Sequence, residues 1–228
     1  TEEKQLTELG LPMKSGFATK GLALSRLPGN IFQDFVDGRI SETKAMALGN
    51  SGLDEAGMQQ AYKALNERGL TDGQFNEALQ IAKSSPTVEG SQVDLFGNTE
   101  TLNLMVEKAK LADAVRTGLR TQKRAAKSAA SNASTLEGVG NRINKEGSLT
   151  LAEDTEALIR QFDADKYMET PTSQLLNEGA QQIAEGGKVK TIANRIRRQL
   201  LEVAETVEAP VKPAEPVPVV PAPQPRRK

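Results

Sequence analysis

Arg116, Arg120, Arg124 and Lys127 recur at i, i+4, i+8 and i+11, with Lys123 beside them. On a helix of 3.6 residues per turn this spacing sets the cations along one face. The chemistry open to such a stripe is phosphate neutralisation. Release of condensed counterions needs charge density and no particular base sequence. The whole stretch 108–127 carries Lys108, Lys110 and these five cations against Asp113 alone. It has no aromatic side chain on which bases could stack, which points to backbone contact and not to single-strand capture. A solvated face, or a surface that meets an acidic partner helix, is the alternative reading.

Catalytic chemistry is narrowly bounded. The chain contains no His and no Cys. Imidazole general bases, thiolate nucleophiles, disulfides and the usual zinc ligands are therefore excluded within it. Its carboxylates form no acid–base pair at a recognisable spacing. AEDTEA (152–157) and DADK (163–166) could suggest a cation site, but DADKYMET lacks the loop Gly and the terminal Glu of a calcium loop and reads as a polar helix end. Gly179 in SQLLNEGAQQIAEGG is followed by no Lys-Ser/Thr, so that run is not a phosphate loop. No catalytic residue, metal site or cofactor is expected, and the chain is expected to bind or scaffold.

Only 37% of the 228 residues are hydrophobic and 4% aromatic, so the core must be thin and built from Leu, Ala, Ile and Val. The net charge of −1 hides the basic stretch between acidic or neutral flanks. There is no signal peptide and no apolar run long enough to span a membrane. The chain starts at Thr1 without an initiator Met, which suggests a processed or excised segment.

The cations must be positioned by helices, since no run alternates with period two. In residues 1–85, short apolar stripes are punctuated by Gly10, Gly38, Gly52 and Gly69, each placed where a helix should stop. Ser41 and Thr71 are expected as N-caps, and Asp54 opens the helix between them. Phe32, Phe35, Leu65, Phe75 and Leu79 are the expected core of one cooperative unit. Residues 86–98 (PTVEGSQVDLFGN) read as a linker. Its Leu95 and Phe96 either plug a groove of the chain itself or dock on a partner. Residues 99–208 read as a helical bundle, capped at Thr99, broken between Gly138 and Gly147, and continued by Leu151–Phe162, Ser173–Ala184 and Val189–Val207. Residues 209–228 hold seven of the eleven prolines and should be an extended tail. Val217, Val219 and Val220 are expected in a partner's groove, with Arg226, Arg227 and Lys228 meeting acidic surface or nucleic acid.

LTELGLPMKSGFATKGLALSRLP (6–28), LPGNIFQDFVDGRISETKAMALG (27–49) and ALNERGLTDGQFNEALQIAK (64–83) resemble, in order, the helix-turn-helix and closing helices of ParB-type proteins. VDLFG (93–97), LEGVGNRI (136–143) and SQLLNEGAQQIAEG (173–186) resemble the DdrB-like, ParB-superfamily region of the polyvalent proteins of phages and conjugative elements. The resemblance implies an all-α fold and a larger polypeptide in which a nuclease or nucleotide-binding domain lies upstream of Thr1. It also implies a place in the host cytoplasm or the virion interior. Its recognition helix would be Met13–Leu24, offering Lys14, Ser15, Thr19 and Lys20. Gly16 and Gly21 weaken that helix, so it either reads DNA or is a structural remnant. The expected partners are DNA, held through its phosphates by Lys14, Lys20 and the Arg116–Lys127 face, or else other virion proteins in an assembly role. A homo-oligomer is a further expectation.

Overall fold

Helix starts are set by side chains that accept orphan backbone N–H groups. Ser41 Oγ accepts from the Lys44 N–H at 3.3 Å, and Asp54 Oδ1 accepts from that of Gly57 at 2.8 Å. Thr71 and Gln74 cap reciprocally: Thr71 Oγ1 accepts from the Gln74 N–H at 3.3 Å, and Gln74 Oε1 from the Thr71 N–H at 3.2 Å. Gly38, Gly52 and Gly69 stand two or three residues past helix ends, and their φ of 73°, 76° and 60° lies in the left-handed region that favours glycine.

A computed structural model describes residues 16–84, 96, 98–134 and 139–208, the side chains of 17, 134, 139–143 and 203–208 excepted. Among these residues the fold is all-helical. In order the helices are α1 (Gly16–Ser25), α2 (Gly29–Val36), α3 (Glu42–Gly49), α4 (Glu55–Asn66), α5 (Asp72–Ser84), α6 (Thr99–Ser134), α7 (Val139–Asp165), α8 (Pro171–Ala184) and α9 (Val189–Glu208). None is long and apolar enough to cross a membrane. Gly10, Lys14, Leu95, Val217, Val219 and Val220 lie outside the described residues, as do most of the linker and the whole Pro-rich tract.

Helices α1–α5 surround Ile31, Ala45, Leu48, Leu65, Phe75 and Leu79, all at most 2% exposed. Helix α1 crosses α3 at Gly49, where a Cβ would sit 1.9 Å from the Ala23 carbonyl oxygen, so glycine sets that approach. The same core continues into Phe96 and into Leu102, Met105, Val106 and Ala109 of α6. A second cluster joins Leu111, Val115 and Leu119 of α6 to Phe162 of α7, Leu176 of α8 and Ile192 and Ile196 of α9. Helix α6, 36 residues and about 54 Å long, thus runs through both clusters.

Four details differ from the sequence expectation. Phe32 is 42% exposed and Phe35 only partly buried, because Ile31 takes the pole of the short α2 and Phe32 lies about 100° round from it. The cap of α6 is Asn98, whose Oδ1 accepts from the N–H groups of Glu100 and Thr101 at 3.0 and 3.2 Å. Helix α7 begins at Val139 and carries Gly147 inside it. Helix α8 begins two residues early, with Thr170 as cap and Pro171 in the first turn, where its missing N–H costs nothing.

Asp34 ties α2 to α4. Its Oδ2 accepts from the Tyr62 hydroxyl at 2.7 Å, and its Oδ1 lies 3.2 Å from Arg39 Nε. Burial first, then the hydrogen bond to Asp34 and its charge, push the Tyr62 phenol up to about 12.

Two predictions follow from this packing. Phe75→Ala should lower stability by about 4 kcal/mol, because a fully buried ring leaves a cavity, whereas Phe32→Ala should cost under about 1 kcal/mol. Urea midpoints of the two variants check this, and equal losses would refute the assigned register. The Tyr62 phenol, raised in the fold above its unfolded value of about 10, stabilises fully below that value. This contribution is lost as pH climbs through about 12. The difference in phenolate absorbance between the wild type and Tyr62→Phe should therefore titrate near 12, and a midpoint near 10 would contradict the buried Asp34 contact.

Candidate nucleic-acid interface on the long hairpin

Helices α6 and α7 lie antiparallel. Arg116 Nη2 pairs with Asp163 Oδ2 at 2.9 Å, and seven residues on along α6 Lys123 pairs with Glu156, seven residues back along α7. Beyond the second pair the seam is closed by small side chains, with Ala126, Ala130, Ala152 and Thr155 all buried.

The basic stripe divides along this seam. At its inner end Arg116 leaves the surface. Its Nη1 donates to Glu77 Oε1 of α5 at 3.1 Å, and the buried Lys166 donates to the same oxygen and to Asp163 Oδ1, each at 2.9 Å. The Tyr167 hydroxyl donates to Glu77 Oε2. Glu77 is 2% exposed and Lys166 4%. Two anions and two cations therefore balance, with Glu77 and Lys166 buried and Arg116 and Asp163, 25% and 28% exposed, closing the network at its edge. The Lys166 ammonium also lies 5.6 Å from the Phe162 ring centroid and 4.9 Å from that of Tyr167.

Further out the stripe is open. Arg120, Arg124 and Lys127 are exposed and form no ion pair among the described residues. Lys123 is half-buried on Glu156, and Arg160 of α7 reaches the same carboxylate, its Nε 3.8 Å from Oε1. Burial, then the charges of Lys127, Arg160 and Arg120, hold the Lys123 ammonium below its ordinary range despite its acidic partner. The neighbouring cations are otherwise engaged. Lys110 pairs with Glu107 at 2.9 Å. Lys108, lowered by burial, donates to Ser173 Oγ at 3.2 Å.

The other expected contacts are placed elsewhere. Lys20 is paired with Glu42 at 2.6 Å, on the rim of a 480 Å³ groove lined by Thr43, Asn50, Asn76 and Gln80. Phe96 is 7% exposed and packs into the chain's own core beside Leu102, so it offers no docking surface. Asp163 and Lys166 of the DADK run belong to the buried network. Gly179 is a packing residue of α8, since a Cβ there would lie 2.6 Å from Leu111 Cδ2.

Glu77, Tyr167 and Arg160 were not among the candidates from sequence, and Glu156 and Lys166 entered only within AEDTEA and DADK, weighed as a cation site and set aside. Glu77 had a signal. It stands one turn before Ile81, on the apolar stripe of Ala78 and Ala82, where an acid must be buried and paired. Lys166, four residues after Phe162, had a similar one. Nothing local marks Arg160.

Comparison of the chain with protein-family models, with curated proteins and with solved structures gives no match.

Removing one member of a balanced buried network leaves an uncompensated charge, which costs about 3–5 kcal/mol. Glu77→Gln should lose stability on that scale, read as a lower denaturation midpoint with the slope unchanged. A loss of a few tenths would mean that Lys166 reaches solvent.

Proposed function

We propose that this chain is a non-catalytic, nucleic-acid-associated segment of a phage-type polyvalent protein, and that it holds duplex DNA through its phosphates on the outer half of the α6/α7 hairpin. The observation that carries the reading is the set of Arg120, Arg124 and Lys127. Three exposed cations stand on one flank of a rigid helix with no ion pair among the described residues, and Arg160 of the neighbouring helix stands beside them. Such a surface supplies charge without base-edge geometry, so binding is without sequence preference. In this reading the ParB-like cluster is a structural remnant, with Lys20 held by Glu42. The phage-type assignment rests on the sequence resemblance alone.

A second reading, an internal or ejected virion component that works by protein–protein packing, is favoured by one observation. Phe32 and Val36 lie one turn apart on α2 and are 42% and 60% exposed.

Fluorescence anisotropy of labelled duplexes across a salt series tests the proposal. Three to four neutralised phosphates should give a log–log slope of about −3. Arg120→Glu, Arg124→Glu and Lys127→Glu together should remove most binding, whereas Arg116 is left intact because it holds the core. Affinity independent of salt, or a silent triple variant, would overturn the proposal. Self-association insensitive to salt and abolished by Phe32→Ser with Val36→Ser would support the packing reading instead.

A further inference from the structure

The two acid–base contacts along the hairpin are not equivalent. At the inner one, Arg116 and Lys166 face Glu77 and Asp163, two cations against two anions. At the outer one, a single carboxylate serves a group of cations. Glu156 meets Lys123 with one oxygen, and Arg160 approaches its other at 3.8 Å. Arg120 and Lys127 stand near enough to bear on the Lys123 ammonium, and among the described residues no second acid forms an ion pair with any of these cations. The carboxylate is thus an acceptor group set between cations of two helices, in a half-buried seam, with an excess of positive charge around it. A phosphodiester presents the same kind of acceptor oxygens with the same single charge.

We infer that the Glu156 carboxylate occupies a phosphate seat formed by Lys123 and Arg160, and that it acts as an internal competitor which nucleic-acid phosphate displaces on binding. The inference rests on the proposed DNA-binding reading and adds the regulation of that surface. Glu156 is on a flexible stem at the seam's edge, 32% exposed, so it can swing into solvent when a phosphate arrives. Lys123 contributes little net charge while Glu156 is seated, and a full charge once it leaves. The outer hairpin then holds a backbone across both helices, with Arg120, Arg124 and Lys127 on one side of the seat and Arg160 on the other. Glu156 sets the threshold, so the surface engages dense phosphate and ignores isolated anions.

The test uses duplex DNA and the full chain, with Asp154→Asn as control. That change removes the same charge from α7, but two residues away and so about 200° round the helix. Glu156→Gln should tighten binding about fivefold at moderate salt and steepen the salt slope by about one, as one more cation becomes available. Asp154→Asn should change affinity less than about twofold. Lys123→Gln should cancel the gain in the Glu156→Gln background, returning the double variant to about the wild-type affinity. Equal effects of Glu156→Gln and Asp154→Asn would overturn the inference while leaving the DNA-binding reading intact. Absence of salt-dependent binding in the wild type would overturn both. Should Glu156→Gln fail to fold, Glu156→Ala makes the same test, and affinity equal to the wild type would overturn the seat. Inorganic phosphate should displace DNA no better than chloride at equal ionic strength, and selective competition would overturn the assignment to nucleic acid.

Discussion

Glu77 is the constraint on which the arrangement of this protein depends. A carboxylate with 2% of its surface exposed cannot remain ionised in a core without cations and donors around it. Here they come from two places distant in sequence: Arg116 on α6, and the adjacent Lys166 and Tyr167 just past the end of α7. Meeting that demand fixes where α5 lies on the hairpin and where α7 must stop. Lys166 leaves the helix with its N–H still bonded to the Phe162 carbonyl at 3.0 Å, while its ammonium turns inward over two aromatic rings. Well-packed apolar side chains could match the stability of such a network. A network with fixed partners gives one register and penalises every other. For a thin core, low in aromatics, that selectivity matters more than the energy.

The helical character and its punctuation were legible in the sequence because they are local. Ser41, Asp54 and Thr71 cap where a short polar side chain meets an apolar stripe, and Gly38, Gly52 and Gly69 take the backbone conformation that side chains resist. What was not legible is decided by partners far along the chain. The period of the basic stripe identifies a face of α6, but Glu77, 39 residues from Arg116, decides which cation leaves the surface. Gly147 reads as a break, since glycine costs a helix about 1 kcal/mol, yet a long seam against α6 absorbs that cost. Composition at residues 86–98 suggests a spacer between two units, but Phe96 and the first turns of α6 complete the core of α1–α5. On α2, eight residues are too few for periodicity to choose between Ile31 and Phe32 as the buried pole.

Clusters of like charge are often taken whole, as one patch with one role. In this chain the fold divides one stripe in two. The inner half is matched by the acids of α5 and α7 and becomes structure. The outer half, beyond the reach of α5, pairs among the described residues with Glu156 alone and keeps an excess of positive charge. The division follows from geometry: α6 is longer than the cluster that packs on its first turns, so its later turns lie beyond the acids of α5.

The same geometry explains how a chain with a net charge of −1 can carry a cationic surface at all. Screening limits the reach of exposed charges to about 8 Å at physiological salt. A ligand at the outer hairpin therefore responds to Arg120, Arg124, Lys127 and Arg160 and hardly to acids on α1–α5. Two of the acids nearest the stripe are already committed inward, Glu77 wholly and Asp163 to Arg116 and Lys166. Burying that balanced group withdraws anions from the surface as well as cations. The outer turns of the hairpin are left positive by what the core has taken from their surroundings, as much as by the lysines and arginines they display.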